Sequence, residues 1–144
     1  KYKTMPLLNP KKVKHRKHQK GSVRGVSVAG STLAFGQYGL RAMESRWITA
    51  RQLEAARRAM TRYMQRSGKV WIRVFPDKPI TKKGAEVPMG SGKGAVDHFV
   101  AVVRRGKILL EIDGLDDVTS RRAMRLAADK FPIHTTLVKK ESSL

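Results

Sequence analysis

The fold is decided by residues 49–75, TARQLEAARRAMTRYMQRSGKVWIRVF, which hold a helix followed directly by a strand. Thr49 is a favourable N-cap residue, and Gln52 three positions later completes a capping box. Gly68 supplies a stop signal, so a helix is predicted over residues 49–67. From Lys69 to Phe75, side chains alternate as they do in a strand. A helix that packs against such a strand is typical of an α+β domain.

This helix separates apolar from basic side chains. At about 100° per residue, one face is predicted to carry Leu53, Ala56, Met60, Tyr63 and Met64. The opposite face carries Arg51, Arg58 and Arg62, with Arg66 beside them. A solvated basic face is the usual interpretation, but only Glu54 intersperses these arginines, and a guanidinium fork suits a phosphate. We therefore predict that the helix contacts phosphates.

The remaining elements extend the same architecture. Residues 32–47 predict short strands that meet at Gly36 and Gly39, and residues 98–103 and 107–112 predict a hairpin. A second helix is predicted from about Asp116 to Lys130, and a last strand over residues 133–139. The polar face of the second helix carries Arg121, Arg122 and Arg125. The expected fold is α+β, with two helices packed on a mostly antiparallel sheet.

An arm rich in cations precedes this domain. Residues 1–30 are predicted to be extended and residues 31–144 to form a single α+β domain, since glycines at 21, 25 and 30 disfavour helix in the arm. The first carboxylate is Glu44. The cations predicted to bind phosphates are Lys11, Lys12, Lys14, Arg16, Lys17, Lys20 and Arg24. The alternative is a disordered, solubilising tail.

The overall charge indicates a polyanionic partner. The chain has 31 Lys and Arg residues against 11 acids, a net charge of +20, and such self-repulsion opposes compaction unless an anion neutralises it. The chain has no cysteine, which excludes a disulfide framework and a thiol nucleophile. It offers no carboxylate pair and no nucleophile elbow, so we expect neither an enzyme nor a cofactor or metal site. No apolar run approaches the roughly 20 residues of a membrane span, and no secretory signal is evident.

Residues 76–95 are predicted to form a long loop rich in Gly, Pro and Lys. Its segment GSGKG at 90–94 is no phosphate loop of the NTPase kind, because Val87 stands where the first glycine is required and Gly94 where a hydroxyl is required. Glycines let a backbone approach a partner closely, and Lys93 adds charge. The alternative is a flexible loop in solvent.

Several stretches resemble the family of bacterial large-subunit ribosomal protein sixteen. They are PKKVKHRK at 10–17, LAFGQYGL at 33–40, WITARQLEAARRAMTR at 47–62, GKVWIRVFPDKP at 68–79 and MGSGKG at 89–94. The resemblance covers roughly residues 7 to 140. In many family members an arginine precedes Met-Gly and is hydroxylated in some bacteria, but Pro88 occupies that position here, so this modification is not expected.

The resemblance implies a structural protein bound to large-subunit rRNA near the peptidyl-transferase centre, among neighbouring ribosomal proteins and with a role in late subunit assembly. It implies contact with A-site tRNA, and with P-site tRNA as a further candidate. The residues implied to face tRNA are Lys82, Lys83, Met89, Gly90, Ser91, Gly92, Lys93 and Gly94. It favours a bacterial, cytoplasmic ribosome over an organellar one and implies no homo-oligomer. The alternatives are a free-standing RNA-binding regulator and an RNA-modifying enzyme.

Overall fold

The computed structural model describes residues 8–141, so the start of the predicted arm, residues 1–7, falls outside the described residues. In chain order the elements are β1 Tyr38–Ala42, β2 Arg46–Thr49, α1 Ala50–Met64, β3 Lys69–Ile72, β4 Lys78–Lys82, β5 Ala95–Val103, β6 Ile108–Asp113, α2 Asp117–Ala128 and β7 Thr135–Lys139. The α+β class predicted from the sequence is confirmed.

The strands form two antiparallel sheets rather than one. The four-stranded sheet has the order β3-β6-β1-β7, and the three-stranded sheet has the order β2-β5-β4. The predicted hairpin of residues 98–103 and 107–112 is therefore wrong, because β5 and β6 belong to different sheets. Each of these two strands is central in its own sheet and already has a partner on both sides, so neither has a free edge for the other.

The capping box of α1 is confirmed. The Thr49 side chain accepts a hydrogen bond from the Gln52 backbone N–H at 3.2 Å, and the Thr49 backbone N–H donates to Gln52 Oε1 at 2.9 Å. The helix ends at Met64, earlier than predicted, because the backbone turns left-handed at Gln65 and Arg66 before Gly68. Its buried residues are Ala50, Leu53, Ala56, Met60 and Met64.

Tyr63 is the exception on the predicted apolar face, since 41% of it is exposed. It lies at the border of the buried stripe. The second helix is also close to its prediction, with Asp116 as N-cap accepting from the Thr119 N–H at 3.1 Å. The two helices pack on each other. In addition, α1 packs against β2, β3 and β5, and α2 packs against β1 and β7. The core therefore lies between the helix pair and the two sheets.

Several strands differ from the prediction, among them β5, which begins at Ala95, and β7, which begins at Thr135. Strand β4 lies inside the predicted loop of residues 76–95 and contains Pro79, which an edge strand tolerates because its missing N–H removes no ladder bond. Strand β3 stops at Ile72, short of Phe75. The strands β1 and β2 meet at residues 43–45 rather than at the glycines. Gly36 instead allows close approach, since a Cβ there would lie 2.5 Å from the Ile112 carbonyl oxygen.

Candidate nucleic-acid interface

The arm, residues 8–30, lies on the body without forming a helix or a strand. Leu8 packs against the hydrophobic core. Near its other end, the Ser27 N–H donates to the Arg105 carbonyl at 2.8 Å, and the Gly30 carbonyl accepts from the Ile108 N–H at 2.8 Å. Backbone contacts thus attach the arm while its charged groups remain outside. All seven cations predicted to bind phosphate are exposed: Lys11, Lys12, Lys14, Arg16, Lys17, Lys20 and Arg24.

The arm meets the Gly/Lys loop, which we define as residues 83–94. Lys17 Nζ donates to the Lys93 carbonyl at 3.0 Å, and Lys93 Nζ donates to the His18 carbonyl. A second contact to the arm comes from β4, where Lys78 Nζ donates to the Lys20 carbonyl at 2.5 Å. Two segments that are some 75 residues apart in the sequence therefore form one surface. We call this arm and loop together the cationic surface.

The tip of the Gly/Lys loop has an unusual backbone. Gly90, Ser91 and Gly92 have φ values of +104°, +58° and +100°. No atom lies within 4 Å of a Cβ placed on either glycine, so these glycines are required by conformation rather than by crowding. Lys83 Nζ donates to the Gly90 carbonyl at 2.5 Å, and Met89 is 94% exposed. The loop thus presents backbone, a methionine and lysines to a partner.

The arginines of α1 are not equivalent. The Glu54 carboxylate pairs with Arg57 at 2.6 Å and with Arg58 at 3.1 Å. The hydrogen bond from Arg57 is the main reason that the pKa of Glu54 lies below its usual value. Arg58 therefore shares an acid, which weakens its predicted availability to phosphate. Within residues 8–141, no acid lies within 4 Å of the exposed groups of Arg51, Arg62 and Arg66.

The arginines of α2 show the same division. Arg121 pairs with Asp117 at 2.7 Å, and Asp117 also accepts from the Tyr38 hydroxyl and from Lys139 at 3.3 Å. These bonds, that of Tyr38 foremost, hold the pKa of Asp117 well below its ordinary value. Arg122 and Arg125 are exposed and have no acidic partner among residues 8–141.

The structure brings only some of these residues together. A groove of about 470 Å³ is lined by Asn9 of the arm, by Arg51, and by Lys82, Asp97 and His98. The pKa of Asp97 is lowered mainly by the His98 hydrogen bond, with smaller contributions from Lys82 and Arg51. Arg51 and Lys82 therefore adjoin the cationic surface. None of the hydrogen bonds or ion pairs in the described part of the chain links the α2 arginines to it.

Sequence reasoning missed the best-defined polar group, Glu111 of β6. It is fully buried, and its carboxylate accepts from the backbone N–H groups of Ala34 (3.0 Å), Phe35 (2.7 Å) and Gly36 (2.7 Å). It also forms an ion pair with Arg73. Burial by itself would raise the pKa of Glu111, but these hydrogen bonds together lower it. A single acid within the apolar run ILLEI was the available signal.

Other kinds of site have little support. Among residues 8–141, no three His, Cys, Asp or Glu side chains are grouped as a metal site would require. The same residues include no helix with the length and apolar character needed to cross a bilayer.

Comparison with known proteins gives consistent matches over nearly the whole chain. The family model described as ribosomal protein L16p/L10e matches residues 10–138. A protein from Lactobacillus delbrueckii subsp. bulgaricus is 61% identical over 137 residues, which is 95% of this chain and 92% of that relative. Proteins from Lactobacillus johnsonii and Lactobacillus helveticus are each 58% identical, over 96% and 97% of this chain and 95% of each relative. All three bear the name large ribosomal subunit protein uL16.

Proposed function

The chain belongs to the ribosomal protein L16p/L10e family, structural constituents of the large ribosomal subunit that are not enzymes, and from that premise we propose that it binds large-subunit rRNA through its cationic surface and helix arginines. The proposed contacts are made by the arm, residues 1–30, and by the single domain, residues 31–144. The relatives come from bacteria, which supports a bacterial, cytoplasmic ribosome as the setting.

The observation that carries the proposal is the contact between Lys17 and Lys93. Each ammonium donates to a carbonyl of the other segment, so two like charges are held in neighbouring segments, and neither is in an ion pair with an acid among residues 8–141. An ammonium has three donors, and these contacts use one of each. The remaining donors are available to phosphate oxygens, whose negative charge would offset the repulsion between the lysines.

The arm is suited to phosphate binding rather than base reading. Its lysines are flexible point charges, and each phosphate they neutralise releases condensed counterions. Contacts of this kind fix position and orientation but carry no sequence information. Recognition of the rRNA then comes from its folded shape and from the spacing of its phosphates. The body provides the rigid support, since the arm is held to it at residues 8, 27 and 30.

The Gly/Lys loop is proposed to reach A-site tRNA near the peptidyl-transferase centre, with P-site tRNA as a further partner. Its exposed tip of Met89, Gly90, Ser91 and Gly92 has no side-chain bulk at two of four positions. A backbone of this type approaches another polymer closely. Because the loop contacts the arm, rRNA bound by the arm would lie beside the loop. A role late in subunit assembly is proposed from the resemblance to the family alone.

The test compares large subunits that carry wild-type protein with subunits in which residues 85–92 are replaced by a Gly-Gly linker. The expected result is normal incorporation, measured by sedimentation and mass spectrometry, with weaker binding of A-site tRNA. A second variant, Lys130→Gln with Lys140→Gln, removes two exposed lysines outside the loop and should leave A-site tRNA binding unchanged. Normal A-site binding by the shortened variant would contradict the proposal for tRNA. Failure of the wild-type protein to bind large-subunit rRNA would contradict the whole proposal.

A further inference from the structure

An aromatic pair lies at the four-stranded sheet, formed by Phe35, just before β1, and Trp71 of β3. The Phe35 and Trp71 rings stack with centroids 5.9 Å apart and planes 16° from parallel. The Arg73 guanidinium lies 5.1 Å from the Phe35 centroid, and the Lys69 ammonium lies 5.2 Å from that of Trp71. Offset stacking with cations over the rings is a favourable arrangement in itself.

Phe35 is exposed although the structure holds it firmly. The ring is 56% accessible, whereas Trp71 beneath it is partly buried. The Phe35 backbone N–H donates to the Glu111 carboxylate at 2.7 Å, and the same carboxylate holds Ala34, Gly36 and Arg73. The Glu111 carboxylate thus fixes the backbone at residues 34–36, and stacking on Trp71 fixes the exposed Phe35 ring. The arrangement is therefore preorganised for binding.

We propose that Phe35, backed by Trp71, is a stacking platform for one unpaired nucleobase of RNA, with Lys69 contacting an adjacent phosphate. The proposal deepens the rRNA-binding function and rests on it. Aromatic rings bordered by Lys and Arg are how proteins hold splayed-out bases, because every base has a π-face and brings a phosphate with it. The charge of the patch favours RNA over an apolar protein surface, since Lys69 is exposed and has a cation–π contact but no acid within 4 Å among the described residues.

The first experiment irradiates intact large subunits with ultraviolet light, digests RNA and protein, and locates nucleotide adducts by mass spectrometry. Phe35 falls in the tryptic peptide of residues 25–41, where the only other aromatic side chain, Tyr38, is buried. The expected result is a nucleotide adduct on Phe35. A nucleotide adduct on arm peptides but none on residues 25–41 would overturn the platform while leaving the proposed rRNA binding intact. Adducts on no peptide would overturn both.

The second experiment probes the rRNA of subunits carrying variants with a reagent that acylates the 2′-hydroxyl of flexible nucleotides, whatever their base. Phe35→Ala should raise the reactivity of the cross-linked nucleotide about fivefold or more, because its base is no longer held by stacking on the ring. Phe35→Trp should restore protection, and Phe35→Leu keeps an apolar side chain in case the alanine variant fails to assemble. Phe75→Ala is the matched control, an exposed phenyl (49%) with no aromatic partner among residues 8–141. Equal reactivity in Phe35→Ala and wild type, or an adduct with a protein, would overturn the platform.

Discussion

The cationic surface and the body beneath it differ in the groups that their charged side chains contact. In the body, acids have partners: Glu111 binds Arg73 and three backbone N–H groups, Glu54 binds two arginines, and Asp117 binds Arg121 and Lys139. On the cationic surface, by contrast, lysines contact carbonyl groups of one another's segments. These three acids of the body are therefore paired within it, whereas the lysines of the cationic surface have the partner proposed above. Substitutions on the cationic surface should therefore change the affinity for rRNA, whereas substitutions in the body should change the free energy of unfolding.

The largest effect is expected from neutralising the arm. A variant with glutamine at the seven positions 11, 12, 14, 16, 17, 20 and 24 should lose about 10³-fold or more in rRNA affinity, and the slope of log K against log salt should fall by about five to six. Filter binding over a salt series measures both. The unfolding temperature should stay unchanged. The control is Lys130→Gln with Lys140→Gln. If that pair lost as much rRNA affinity per neutralised charge, the arm would have no special role in binding.

The next effect concerns stability. Glu111→Gln should lower the free energy of unfolding by about 3 kcal/mol, because Arg73 loses its buried partner and one carboxylate oxygen becomes a donor facing backbone N–H groups. Urea denaturation measures the change. Asp97→Asn, which alters an exposed acid, should change it by less than about 0.5 kcal/mol. If both variants unfold alike, the carboxylate does not organise residues 34–36.

The same residue predicts a pH dependence. The pKa of Glu111 is lower in the folded state than the ordinary value of about 4.3, so the unfolded state binds the proton more readily. Its contribution is complete above that ordinary value and is lost as the pH falls through the folded pKa. Comparing wild type with Glu111→Gln isolates this contribution from that of Asp117. The difference between them should shrink as the pH falls below about 4; a constant difference would contradict the assignment.

A smaller loss is expected at the start of α1. Thr49→Ala removes the acceptor for the Gln52 N–H and should cost about 1 kcal/mol of unfolding free energy. Thr49→Ser keeps the hydroxyl and should restore most of that stability. Thermal unfolding of the two variants gives the comparison, and a serine variant as unstable as the alanine variant would show that the methyl group, not the cap, matters.

The smallest effect should come from the loop tip. Met89→Gln alters a side chain that is almost fully exposed and should change the unfolding free energy by less than about 0.5 kcal/mol. Chemical denaturation provides the value. A large destabilisation would mean that the Gly/Lys loop belongs energetically to the body, and the contrast between the two regions would fail.

The sequence correctly predicted the features that depend on residues close together in the chain. The capping box of α1, the second helix and the α+β class are confirmed, as are the family and the expectation that the chain is a structural protein and not an enzyme. Strand β4 was missed because Pro79 is acceptable only at a sheet edge, and edges are decided by the whole topology. The hairpin was wrongly expected because proximity in sequence favours pairing until both strands have better partners elsewhere.

The predicted phosphate and tRNA contacts depend on side-chain positions, which local sequence rules do not give. In the structure, Arg58 and Arg121 have acidic partners and Lys17 contacts Lys93, and no pattern in the sequence predicts those distances. Glu111 was overlooked because its partners are backbone N–H groups about 76 residues away. A side chain that binds backbone leaves no signature in the residue types of its partners. Which cations touch RNA stays a prediction.

The pairing of β1 governs how the protein is made. Residues 38–42 bond to residues 108–112 on one side and to residues 135–139 on the other. During synthesis, the ribosome therefore releases residues 1–108 of the 144 before the four-stranded sheet can begin to form, because β1 and β3 both pair with β6. In that interval only the three-stranded sheet and α1 have all their residues available, and contacts of such long sequence separation form slowly. The cationic arm is therefore synthesised well before the sheet that completes the body.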